Sequence, residues 1–142
     1  MICTFFGHRD ATEEIKPILK DTIVDLIENR KVNQFYVGNN GAFDRIVFGI
    51  LKELSAKYPI SFFVVLAYVP RHAGQDDAYT ILPEGIEKVP KRFAIVFRNK
   101  WMIQRAEYVV GYVTHTIGSG AANFLEYAEK QKKKVILLSS DR

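Results

Sequence analysis

One cysteine in the whole chain, Cys3, leaves no partner for an internal disulfide. It lies in the first apolar run, where a lone thiol reads as packing rather than chemistry. No apolar run approaches the roughly 20 residues a membrane helix needs, so the sequence predicts no membrane partner. No basic-then-apolar leader ending in small residues is present, and the expected location is cytoplasmic. The three histidines, His8, His72 and His115, are too dispersed for metal-ligand spacing. Neither G-x-G-x-x-G nor a P-loop occurs, so dinucleotide or triphosphate binding in those forms is not specified, and no cofactor is expected. Internal repeats and low-complexity linkers are also absent. Neither sign of charge dominates: 20 Lys and Arg face 16 Asp and Glu, a net +4. Such a mild basic excess favours anionic partners such as nucleotides without identifying one. The densest basic run, Lys130–Lys134, closes a predicted helix, where cations complement the dipole. It reads as a solvated helix end, which argues against nucleic acid.

What is present suits one folded unit. The 142 residues are 48% hydrophobic and 25% charged, enough apolar material for a core. Ile2–Phe6 reads as a buried strand bounded by Gly7. Ile15, Ile18, Leu19, Ile23, Leu26 and Ile27 follow at helical spacing, with Thr12 a candidate N-cap and Pro17 marking where the helix properly starts. Gln34–Val37 is a second strand, and Phe43, Ile46, Val47, Ile50, Leu51 and Leu54 mark a second helix. Ser61–Ala67 is apolar on both faces, as a central parallel strand should be. Tyr68–Pro90 shows little periodicity and reads as a long binding loop or lid. A third helix covers Arg92–Arg105, Glu107–Val113 is a fourth strand, a helix opens at Gly118-Ser119-Gly120, and Val135–Leu138 is a fifth strand. Strands alternating with helices imply parallel pairing with right-handed crossovers. The expectation is a single Rossmann-like three-layer α/β domain over residues 1–142, with a mainly parallel five-stranded sheet.

Ligands in such sheets bind beyond the carboxyl ends of the strands. Three strand ends there carry glycine: Gly7; Gly38 and Gly41 around Asn39; and Gly118 and Gly120 around Ser119. Glycine admits a phosphate close to backbone amides, and a following helix adds partial positive charge. Arg9 and Arg98 are the expected anion ligands, since a guanidinium offers a planar fork to phosphate or carboxylate. His8 could meet a ligand or cap its own turn. His72 reads as exposed, His115 as a residue of the same edge, and Trp101 as core. Hydrolysis of a glycosidic bond would need a carboxylate near the sugar. Asp44, just inside the second helix, and Glu126, two turns into the fourth, are the candidates; no catalytic residue is singled out.

The order of these pieces resembles the SLOG superfamily of Rossmann-like nucleotide-ligand domains, which includes the LOG phosphoribohydrolases and the DNA-processing protein DprA. Within it the chain looks most like the small YpsA-like branch. The likeness spans nearly the whole chain, through "CTFFGHRD", "YVGNNGAFD", "RNKWMIQRAEYVVGYV" and "GSGAANFLE". Arg98 and Met102 hold the spacing of Arg and Met in the LOG motif R-K-x-x-M, with Asn99 at the lysine position. The resemblance implies a pocket for a nucleotide or nucleotide-derived small molecule, formed by Gly7, His8, Arg9, Gly38, Asn39, Gly41, Asp44, Arg98, Asn99, Thr114, Gly118, Ser119 and Gly120. It implies a sensor or divergent hydrolase. The alternatives are an N-glycosidase acting on nucleoside monophosphates and a single-stranded DNA-binding module. It also implies a homodimer or higher homo-oligomer, for which the second and third helices would supply apolar surface.

Overall fold

In the computed structural model, residues 1–70, 79–114 and 120–138 are described. Ile2–Gly7 (β1) leads through a 3-10 turn at Glu13–Ile15 into Lys16–Arg30 (α1). Gln34–Val37 (β2), Ala42–Ser55 (α2), Ser61–Val65 (β3) and Thr80–Ile81 (β4) follow. Lys91–Arg105 (α3), Tyr108–Tyr112 (β5), Gly120–Lys130 (α4) and Lys134–Leu137 (β6) complete the order. The six strands form one sheet, β4-β3-β2-β1-β5-β6, and every pair is parallel. The α/β class is therefore as expected, but the sheet has six strands, not five. The extra one, β4, lies inside the segment read as a loop. It pairs only Thr80 with Val64 and Ile81 with Val65, too little chain to carry a period-2 pattern.

Alternation along the strands assigns the two faces. Cys3, Phe5, Phe35, Val37, Tyr108 and Val110 pack on one face with the apolar stripes of α1 and α2. Phe6, Tyr36 and Val109 point the other way, against Met102 and Ile103 of α3 and Leu125 and Ala128 of α4. Pro17 sits in the first turn of α1, where a missing N–H costs nothing; Thr12 precedes the 3-10 turn but its side chain makes no capping bond. The Cys3 thiol is fully buried, and that burial pushes it well above its ordinary pKa, which suits packing rather than reactivity. Trp101 packs with the second cluster, beside Tyr36 at 5.4 Å between ring centres.

The chain moves outward from β1 through β2, β3 and β4, then returns to place β5 on the other side of β1. The direction of winding reverses between β1 and β5, and loops leaving there diverge, so a crevice opens at that edge. No helix among the described residues is long and apolar enough to cross a membrane.

Candidate functional site

The crevice holds a cleft of about 200 Å³. The end of β1 supplies Phe6 and Gly7, and the loop beyond it Arg9. The β2–α2 connection supplies Gly38, Asn40 and Asp44, α3 supplies Arg98, Asn99 and Met102, and α4 supplies Gly120, Ala121 and Phe124. A second cleft of about 330 Å³ shares Gly38 and Asp44 with the first. Asn39, Gly41, Arg45, Phe48 and Tyr79 are among its walls.

Arg98 is the central side chain, and it is only 1% exposed. It occupies a core position of α3, one turn from Ala94 and one from Met102, which are both buried. Its Nε donates to Asn99 Oδ1 at 2.7 Å, and Nη1 donates to Val65 O at 2.7 Å and to Asn39 Oδ1 at 3.2 Å. Among the described residues Nη2 makes no hydrogen bond, and no carboxylate pairs with the guanidinium within 4.0 Å. Burial lowers the Arg98 pKa from its ordinary value, while Asp44 and then Tyr68 pull it back up. Arginine stays charged through such shifts, so the cleft contains a buried cation satisfied only by neutral acceptors.

Asp44 stands in the third position of α2. Its Oδ2 accepts a 2.9 Å bond from the backbone N–H of Asn40, just ahead of the helix, as a capping carboxylate does. Burial raises the carboxyl from 3.8 to about 6; the Asn40 N–H and the Arg98 charge oppose that rise. The ionised and neutral forms thus exchange close to neutral pH.

Backbone geometry holds these groups at close quarters. A Cβ on Gly38 would meet Asp44 Oδ2 at 2.9 Å and Arg98 Cζ at 3.1 Å, so a side chain there would displace the ends of both. Gly41 has φ 105°, and a Cβ there would lie 2.7 Å from Arg9 Cα. At the same junction Ala42 N–H donates to Arg9 O at 2.8 Å, fastening the loop after β1 to the loop after β2. None of the described residues lies within 4 Å of a Cβ placed on Gly120, as suits a residue on the lip of a cleft.

Of the residues named from sequence, Gly7, Arg9, Gly38, Asp44, Arg98, Asn99 and Gly120 line the first cleft, and Asn39 and Gly41 line the second. His8 and Thr114 are absent from both linings and meet each other instead. Thr114 N–H donates to His8 Nε2 at 2.6 Å, which ties the exit of β5 to the exit of β1, and Tyr112 packs edge-on to the imidazole. Gly118 and Ser119, with His72 and His115, lie outside the described residues. Glu126 faces solvent and pairs with Lys130 at 3.3 Å, away from the cleft. Sequence reasoning missed the aromatic wall of Phe6 and Phe124, stacked at 5.5 Å, because both also fit core stripes.

The fold and crevice define a doubly wound α/β protein with a cationic cleft at its switch point. No protein-family model matches the chain, and a search of curated proteins returns no match.

Proposed function

We propose that the protein binds a nucleotide or nucleotide-derived anion in this cleft, as a ligand sensor or a divergent hydrolase of the SLOG type. The observation that carries the reading is Arg98: a guanidinium 1% exposed, unpaired by carboxylate among the described residues, with Nη2 unused on a cleft wall. A buried cation is expensive unless compensated, and an anionic ligand supplies the compensation. Support comes from Arg9 on the same cleft and from the first residues of α2 and α4, whose helix starts add partial positive charge. The two adjoining clefts together give room for a phosphate and a larger attached group.

The test is a titration of wild type, Arg98→Ala and Arg9→Lys with nucleoside monophosphates, ADP-ribose and cyclic nucleotides. Loss of binding in both variants toward one ligand supports a shared site. Absence of binding by wild type across the panel sinks the reading.

Asp44 favours a second reading. A carboxyl poised near pH 6 beside an anion site suits general acid–base work on a glycosidic bond. Release of free base and ribose phosphate from a nucleoside monophosphate, lost in Asp44→Asn, is the result that would establish it. Self-association is proposed through α3, whose Phe93 and Val96 are exposed. The apolar stripe of α2 contributes nothing to it, because that stripe is spent in the core.

A further inference from the structure

Two opposite charges approach one point without pairing. Asp44 Oδ2 and Arg98 Cζ both flank the Cβ position of Gly38, at 2.9 and 3.1 Å, yet they form no ion pair within 4.0 Å. Each has unused capacity of opposite sense among the described residues. Arg98 Nη2 lacks an acceptor, and Asp44 Oδ1 lacks a donor. Both residues line the first cleft. A fully ionised phosphate monoester without a hydroxyl satisfies Arg98 alone, and near neutral pH its charge repels an ionised Asp44. A ligand that satisfies both carries an anionic oxygen with a hydroxyl donor a few bonds away. The closeness of the two groups excludes a donor at the far end of a long molecule, such as the edge of a base.

Resting on the anion-binding reading above, we propose that Asp44 accepts a hydrogen bond from a sugar or polyol hydroxyl of the ligand, and so selects hydroxylated phosphate esters over hydroxyl-free esters. Among the described residues, the charged groups that line the clefts with Asp44 are Arg98 from α3, Arg9 from the loop after β1 and Arg45 beside it on α2; Tyr79 shares the lining of the second cleft. Asp44 is the group that burial pushes up to about 6, so its form changes between pH 5 and 7.5.

Calorimetric titration with ribose 5-phosphate, glycerol 3-phosphate, propyl phosphate and inorganic phosphate tests this. Glycerol 3-phosphate and propyl phosphate share chain length and charge and differ in two hydroxyls. At pH 7.5 the hydroxylated esters should bind wild type about tenfold tighter or more than propyl phosphate, the effect of one hydrogen bond to a charged group. Asp44→Asn retains an oxygen for the Asn40 amide but turns the free acceptor into a donor, and should shrink that ratio to within about threefold. Wild type at pH 5 should show the same shrinkage without any substitution, since ester phosphate titration is common to both ligands and cancels in the ratio. Equal binding of propyl phosphate and the hydroxylated esters at pH 7.5 overturns the inference and leaves the anion site standing. A ratio that persists in both Asp44→Asn and wild type at pH 5 also overturns it. If all four probes fail to bind, the anion reading falls, and this inference with it.

Discussion

Asp44→Asn should stabilise the protein at pH 7.5, and the gain should disappear in acid. The carboxyl ordinarily titrates at 3.8 and in the fold at about 6, chiefly because it is buried. Below 3.8 it is neutral in both states and contributes no difference. Between 3.8 and about 6 the folded state holds the proton that the unfolded state has lost. Stability therefore falls as pH rises through that window, by at most about 1.4 kcal/mol per pH unit. Above about 6 the loss is complete, and the displacement corresponds to about 3 kcal/mol. Asparagine is neutral throughout and still offers an oxygen to the Asn40 amide. Urea denaturation of both proteins from pH 3.5 to 8 reads the effect directly, provided each transition is two-state. The difference between the two curves cancels every other titrating group. Expected is a gap that opens between pH 4 and 6 and is flat beyond. Parallel curves, or a wild type more stable than the variant at pH 8, would refute a buried carboxyl whose charged form is disfavoured.

Gly7→Ala should cost about 1–3 kcal/mol or more by calorimetry, because its Cβ would sit 2.4 Å from the ring of Phe43, a fully buried neighbour with nowhere to go. Gly120→Val should leave the melting temperature nearly unchanged, since none of the described residues lies within 4 Å of its Cβ, yet abolish nucleotide binding by filling the cleft mouth; undiminished binding would place the phosphate elsewhere. Arg98→Lys keeps the charge and loses the planar fork, so affinity for the best nucleoside monophosphate should fall about tenfold or more in a titration. Light scattering should show self-association at micromolar concentration that Phe93→Asp abolishes; a monomeric wild type removes that claim.

Periodicity was a good guide where an element was long enough to display it. The stripes of α2 and α4 are ordinary amphipathic patterns, Ile2–Phe6 is an unbroken apolar run, and their order implied the parallel sheet. β4 carries two residues, and its pairing with β3 depends on tertiary placement that no local window contains. Arg98 was visible as an arginine on a helix but not as a buried one. The signal was its register: Ala94, Arg98 and Met102 share one face at spacings of four, so a polar residue interrupts a core stripe. The bond between Thr114 and His8 links positions 106 apart in sequence, and neither residue has a local feature that foretells it.

The junction between the first two loops separates what is fixed from what can be exchanged. At position 9 the backbone oxygen is held by Ala42 and the Cα is crowded by Gly41, but the side chain is exposed and takes no part in the fastening. Position 9 is thus a socket: its outer end can be swapped for a neutral, acidic or aromatic group while the frame beneath keeps its shape. Position 41 offers no such freedom, since its φ of 105° and its contact with Arg9 both require glycine. Retargeting this cleft toward a differently charged ligand should begin with a library at residue 9 over an unaltered residue 41.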